Sequence, residues 1–358
     1  MTAECLDMTK LIANKEPIED KVKSEWLKPS LHPAYARLLC AHLRNRGIDM
    51  AELFKGNSLD WETLLDSPRF MNFEQFRHLV LNAMKLTECP WLGLEISNLI
   101  QVSSHGPMGY GAVAAPTVRD AFLLVQKTIS TRISFYAFSL EEENGRAHFI
   151  LKELIDPKEL REFLSVMLLG SFQDLLSKTS GSYSSDICVS FPFEEPHWST
   201  LYKEHFSEIT IQFAQANFTT DMPAELLDWH CLTADEFTYR NALRECEQLL
   251  DKRDKGGELS EQLKNHLFAM GAPYPSQESI AEIFHMSVRT LIRKLKSEQT
   301  SYQSILDEVR KELACWYLQN TALSIESIAE HLGFQDTSNF SRVFRRWLNC
   351  TPSTFRDH

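Results

Sequence analysis

Two stretches near the end of this 358-residue chain carry side chains suited to gripping a polyanion. Between Val288 and Lys296 stand Arg289, Thr290, Arg293, Lys294 and Lys296. Between Thr337 and Leu348 stand Thr337, Ser338, Asn339, Arg342, Arg345 and Arg346. Neither stretch contains Asp or Glu, whereas a solvated helix usually mixes both signs. Arginine can bond guanine O6 and N7 together, Thr and Ser can reach either base, and all of them can bond phosphate. The chemistry on offer is recognition of double-stranded DNA.

Each stretch follows a near-copy of one segment, Ser279-Ile-Ala-Glu282 and Ser327-Ile-Ala-Glu330. A short apolar helix, a tight turn and a second helix with one apolar and one basic stripe form the pattern of a helix-turn-helix. Ser287 is placed to cap the first of the second helices, and Val288, Leu291, Ile292 and Leu295 define its buried face. Asp336 caps the other, with Phe340, Val343, Phe344 and Trp347 at the same spacing. Between the copies, Ser301 to Asn320 has Ile305, Val309, Leu313, Trp316 and Tyr317 at helical spacing and no Gly or Pro. One helix of that length spans about 30 Å. Successive major-groove faces lie roughly 34 Å apart, so such a helix is a fitting spacer.

Other constellations carry less. Gly106-x-x-Gly109-x-Gly111 lacks the Gly-Lys-Ser/Thr ending of a phosphate loop and follows no clear strand, so it reads as tight turning beside a packed helix. His230-Cys231 and His197-Trp198 lack metal-ligand spacing, and no metal or cofactor is expected. Glu141, Glu142 and Glu143 fall at a hairpin tip, and Asp156 and Glu159 are ordinary first-turn acids. No Ser/His/Asp or Cys/His arrangement stands out.

Hydrophobic content of 43% and charged content of 24% are those of a globular protein with room for two or three cores. The net charge of −12 divides unevenly. Residues 1–257 hold 26 basic and 37 acidic residues, hence −11, and residues 258–358 hold 11 and 12, hence −1. The acidity belongs to the part that should not lie on DNA, while the cations of the rest concentrate on two helices. The eight cysteines are scattered without a Cys-x-x-Cys pair, which fits reduced thiols in the cytoplasm and leaves a redox sensor open. The apolar runs are far too short for a membrane span.

Asp251-Lys-Arg-Asp-Lys-Gly-Gly257 reads as a linker, dividing the chain into 1–255 and 256–358. Upstream, residues 1–24 are polar and read as loosely ordered. Helices are expected at Tyr35–Arg46, Asn72–Leu86, from Thr117, at Pro157–Ser177, Trp198–His205 and Glu236–Leu250. Strands are expected at Ile133–Leu140 and His148–Leu151, joined at Asn144-Gly145, and at Ser185–Phe191 and Glu208–Phe213. Without regular βαβ alternation this is an α+β domain, followed by an all-α domain with two helix-turn-helix units on a long helix. The default ligand site is the largest apolar pocket of the first half, expected from Phe135, Tyr136, Phe138, Phe149, Phe163 and Met167.

From near Leu259 onward the chain resembles the AraC/XylS family of bacterial transcription regulators. The resemblance rests on the Ser-Ile-Ala-Glu copies, on Glu308-Val-Arg-Lys-Glu-Leu-Ala314, on Gly333-Phe334 through Trp347 and on Thr351-Pro352-Ser-Thr-Phe-Arg356. It implies base-facing positions at Arg289, Ile292 and Arg293 and at Thr337, Ser338 and Arg342, with Asn339 and Arg346 nearer the backbone. Ile292 is expected to belong to the core rather than to touch a thymine methyl. The family commonly has Gly where this chain has Gln299 and Asn349. Asn tolerates the left-handed backbone of a helix end, whereas Gln299 suggests a different exit.

Residues from about Tyr35 to Leu250 resemble the N-terminal domain of the subgroup that includes the ornithine-utilisation regulator. The residues are Leu92-Gly-Leu-Glu-Ile96, Gly106-Pro-Met-Gly-Tyr-Gly111, Pro116-Thr-Val-Arg-Asp-Ala121, Phe213 and Leu226-Leu-Asp228. That resemblance implies a sensing or dimerisation domain that modulates DNA binding or contact with RNA polymerase. The expected function is a transcription activator controlled by a small-molecule effector. A regulator whose first half only forms a homodimer or docks a protein is the alternative. An enzyme fused to a DNA reader is the third reading, against which the missing catalytic constellation speaks.

Overall fold

The computed structural model describes residues 25–66, 69–181, 186–254 and 258–357. The polar stretch 1–24 and residues 255–257 of the expected linker lie outside the described residues. The first half begins with β1 (Pro29–Leu31), α1 (Ala34–Asn45), α2 (Met50–Leu53), α3 (Trp61–Asp66), β2 (Met71–Asn72), α4 (Phe73–Thr87), α5 (Leu92–Ser97), α6 (Pro107–Val113) and α7 (Val118–Thr128). It continues with β3 (Tyr136–Glu143), β4 (Arg146–Glu153), α8 (Arg161–Ser180), β5 (Cys188–Ser190), α9 (Ser199–His205), β6 (Thr210–Gln212), β7 (Thr219–Pro223) and α10 (Glu236–Asp254).

The domain is α+β. Five strands lie in the order β3-β4-β7-β5-β6, antiparallel except for β5 and β6, which α9 joins as a crossover. The β3–β4 hairpin turns at Asn144 and Gly145, both at positive φ, the conformation that a two-residue turn of matching twist needs. Its inward residues Phe138 and Phe149 stack at 4.6 Å. α7, capped by Thr117, covers this face, and α8 supplies much of the core.

The glycine run opens α6 rather than holding a phosphate. A Cβ on Gly109 would stand 1.7 Å from the carbonyl oxygen of Val102, so only glycine lets these segments approach so closely. Two expectations need correcting. Residues 251–254 are the last turn of α10 and not linker, and β1, β2 and β7 were not anticipated.

The second half is all helix: α11 (Leu259–Met270), α12 (Gln277–Ile283), α13 (Val288–Ser297), α14 (Tyr302–Asn320), α15 (Ile325–His331), α16 (Thr337–Leu348) and α17 (Pro352–Arg356). α14 is the expected connecting helix, capped by the Ser301 hydroxyl, and it runs through the centre of one core. That core also takes in Leu27 from the first half.

The halves meet at α14 through polar side chains. Glu312 is only 7% exposed and lies 2.7 Å from Lys264 Nζ. It also accepts from Asn72 Nδ2 at 2.9 Å and Gln75 Nε2 at 3.2 Å. Asn72 and Gln75 already cap α4 reciprocally, so their amides are held in place before Glu312 arrives. Around this centre Arg69 pairs with Glu308 at 3.2 Å, Gln319 donates to the Gly56 carbonyl and Asn320 donates to Glu74. Burial pushes the Lys264 ammonium down, and the Glu312 and Glu308 carboxylates more than offset that, leaving its pKa raised.

Removing one member of a buried pair strands the other charge. Glu312→Gln should therefore lower stability by about 3 kcal/mol in urea unfolding. Lys264→Met should cost clearly less in the Glu312→Gln background than alone, and two simply additive losses would show that the pair is not coupled.

Candidate nucleic-acid interface and effector cavity

Each helix-turn-helix is built the same way. Ser276 and Ser324 cap the first helices, α12 and α15. The turns then carry one residue each in left-handed backbone, His285 at φ 52° and Gly333 at φ 71°. The bonding repeats: His285 N–H donates to Glu282 and Met286 N–H to Ala281, as Gly333 does to Glu330 and Phe334 to Ala329. Ser287 Oγ accepts from Thr290 N–H, and Asp336 Oδ1 from Asn339 N–H at 2.7 Å, so both expected caps form.

α13 buries Leu291 and Leu295 and α16 buries Phe340 and Phe344. Arg289, Arg293, Lys294 and Lys296 stand exposed on one, and Ser338, Asn339, Arg342, Arg345 and Arg346 on the other, with Thr290 and Thr337 half-buried. The Thr290 hydroxyl lies 2.9 Å from Ser287 Oγ, so it is shared with the cap. Ile292 is 49% exposed, which overturns its expected place in the core and puts it among the cations. Its position is at the edge of the apolar stripe, where a narrow helical unit has no neighbour to cover it. Arg346 is 3.6 Å from Asp307 of α14, a loose and exposed pair.

Sequence reasoning missed Arg310. It donates to the Leu332 carbonyl at 3.0 Å, and its guanidinium lies 5.3 Å and 5.0 Å from the Tyr274 and Phe334 ring centroids. It therefore fastens α14 to the turn of the second unit, with both rings favouring the cation. Only its place in the family-like segment Glu308–Ala314 could have signalled it. Gln299 takes φ 56°, with Thr300 N–H donating to Leu295 and Gln299 N–H to Lys296. The helix exit is thus the ordinary left-handed one, entered by glutamine, and not a different path. Asn349 does the same at φ 57°.

In the first half a cavity of about 70 Å³ lies between the β3–β4 hairpin and α6, α7 and α8. Phe138 and Phe149 line it as expected. Phe135, Tyr136, Phe163 and Met167 do not; they are buried in the main core. α8 does face the cavity, but with Leu168, Ser171, Phe172 and Leu175 instead. The correction has a physical cause: α8 is apolar nearly all round, so its periodicity could not single out a face. His105 lines the cavity, and its Nδ1 lies 2.7 Å from the Tyr35 hydroxyl. Burial, helped by Arg132, pushes the His105 pKa down to about 4, so its ring is neutral. Among the described residues no group of His, Cys, Asp and Glu could hold a metal ion, and no helix is long and apolar enough to cross a membrane.

Residues 47–230 match the model of the arabinose-binding domain of AraC transcription regulators, and residues 280–358 match a helix-turn-helix domain. The ornithine utilization regulator of Pseudomonas aeruginosa is 31% identical over 325 residues, covering 90% of this chain and 95% of its own length. An uncharacterised helix-turn-helix regulator of Mycobacterium tuberculosis is 22% identical over 90% of this chain and 96% of its own. The activator RhaS of Escherichia coli O157:H7 is 38% identical over 81 residues, or 22% of this chain and 29% of that one. The chain belongs to the AraC family of transcription regulators. It is a DNA-binding regulator and not an enzyme, as the domains and relatives agree.

Left-handed backbone costs a non-glycine residue about 1 kcal/mol or more. His285→Gly and Gln299→Gly should each raise the stability of the second half by about 0.5–1 kcal/mol, the relief of left-handed strain being partly offset by glycine's greater freedom in the unfolded chain. Thermal unfolding of the full chain checks this, and a loss at either site would contradict the turn geometry.

Proposed function

We propose that this protein activates transcription in the cytoplasm, with DNA binding or contact with RNA polymerase controlled by a small molecule held in its N-terminal half. The apolar cavity against the β3–β4 hairpin is the observation that carries the control. Family membership and the relative named as an activator support the rest. The division at residues 255 and 256 is supported by the cores: two lie in the first half and one in the second, and among the described residues only Leu27 crosses between the halves. The name of one relative points to ornithine and that of the matching domain model to arabinose, and a further candidate class is argued below.

In this reading Arg293 and Arg342 bond base edges, with Arg289, Thr337 and Ser338 beside them. Ile292 meets a thymine methyl, and Asn339, Arg346, Lys294 and Thr290 lie toward the backbone. Two units on one rigid helix, 19 residues long, let a single chain reach successive groove segments. At about 1.5 Å per residue that helix measures about 28 Å. A homodimer formed through the first half remains compatible with this arrangement.

Arg293→Ala and Arg342→Ala should each cost about 1–3 kcal/mol on the preferred site and relax base choice at one position. Arg346→Ala should weaken all sequences alike and reduce the salt slope by about one. Selection from a random DNA library decides between these roles: an unchanged motif for Arg342→Ala would end its assignment as a reader.

For control by a small molecule, a metabolite extract should change the affinity of the full chain for its selected DNA site by about 5-fold or more. The isolated 258–357 segment, if it folds by circular dichroism, should not respond to the extract. Equal response in both would move the effector site out of the first half.

A further inference from the structure

The cavity in the first half has an unusual lining for a regulator with a relative named for an amino acid and a domain model named for a sugar. Among the described residues no Asp, Glu, Lys or Arg borders it. Its walls are aromatic and aliphatic, with Phe122, Phe138, Phe149, Phe172 and Phe218 the largest contributors. The polar side chains on it, among the described residues, are His105 and Ser171, and the Ser171 hydroxyl already donates to the Met167 carbonyl.

An ammonium or carboxylate placed here would lose its hydration and gain no opposite charge, a cost that exceeds any small ligand's binding energy. The hydroxyls of a sugar would be stranded in the same way, because one imidazole cannot satisfy several of them. His105 itself stays neutral, and Tyr35 occupies Nδ1, so either tautomer leaves Nε2 for one more hydrogen bond. Burial of apolar ligand surface against these walls supplies the driving force that charge does not.

We propose that the effector is a small uncharged molecule with an aromatic ring or short alkyl body and a single hydrogen-bonding group, held in this cavity with that group on His105. The proposal rests on the reading that a small molecule controls this regulator, and it excludes ornithine and arabinose as ligands of this cavity. Size follows from the 70 Å³ of room: a short chain fits the cavity as it stands, one ring needs the lining side chains to give way, since a cavity of about 150 Å³ is what holds benzene, and a long acyl chain does not fit.

The test uses the full chain, with acetophenone and p-cresol as neutral probes and benzoate, L-ornithine and L-arabinose as their charged or polyhydroxylated counterparts. At about 1 mM, one or both neutral probes should raise the melting temperature by about 2 °C, and the other three should leave it unchanged. Val125→Phe on α7 and Leu168→Phe on α8 each fill the cavity from a different helix and should abolish the shift. Two separate fillers keep the test open if one fails to fold. His105→Phe should weaken binding about 10-fold in calorimetry, removing the polar contact while keeping an aromatic wall.

If benzoate, ornithine or arabinose binds instead and the fillers block it, the ligand class is wrong and control by the cavity stands. If a metabolite extract alters DNA affinity equally in wild type and both fillers, control stands and the cavity assignment falls. If neither probes nor extract change stability or DNA affinity, both readings fall.

Discussion

Glu312 is the carboxylate on which the two halves converge. It sits on α14, the helix that also carries both helix-turn-helix units, and it is bonded at once by Lys264 from α11 and by Asn72 and Gln75 from the start of α4. A buried charge tolerates few alternatives, because each lost partner leaves desolvation uncompensated. Small rotations or slides of the first half against the connecting helix are therefore opposed, and in the structure it is seated on Glu312. Under the proposed control, a contact of this kind is what a bound molecule would bias.

A continuous set of contacts joins the cavity to this point. His105 meets Tyr35, and the Arg132 guanidinium lies 5.7 Å from the centre of the Tyr35 ring and donates to the Ser104 carbonyl. His32 N–H donates to the Arg132 carbonyl, and Ser134 N–H to the Ser30 carbonyl, tying this cluster to β1. β1 pairs with β2, where Pro29 lies opposite Asn72. Asn72 then holds Glu312. Proximity alone does not make a pathway. What this one adds is that its last step is the seated contact, so a displacement at His105 has a discrete event to act on.

The two halves differ in how much of them could be read in the sequence. The second half is local: caps at Ser287 and Asp336, stripes at Leu291–Leu295 and Phe340–Phe344, and a 19-residue helix all follow from spacing within one segment. Even its errors are local, since Ile292 lies at the margin of a stripe and Gln299 enters a conformation that its own chemistry disfavours. The first half depends on pairings distant in sequence. β7 reads Thr-Thr-Asp-Met-Pro, too polar and too short to announce a strand, yet it is the central strand between β4 and β5. The β1–β2 pair is shorter still. The hairpin was legible because Asn144-Gly145 fixes it, and with it came Phe138 and Phe149 of the cavity. The lining residues of α8 were hidden because that helix is apolar nearly all round and gives no cue to which of its residues meet empty space.

Charge and geometry together explain why the seating matters for DNA. The first half carries −11 and the second −1, so the acidic body is held to the very helix that spans the two reading surfaces. At physiological salt its repulsion of phosphate is felt within about 8 Å and little beyond. Moving that body by a few ångströms near the DNA therefore changes affinity far more than the same movement elsewhere. A ligand in the cavity has influence only through the difference in its affinity for the seated and unseated states. An apolar cavity bordered by His105, from which contacts run through Tyr35 and Arg132 to β1, is well placed to provide that difference under the proposed control. A coupling of about 1–3 kcal/mol suffices to shift DNA affinity by about 5- to 150-fold. That range is comparable with the roughly 3 kcal/mol at stake in the Glu312 pair, so under the proposed control a bound molecule would act by tipping a balance between two arrangements.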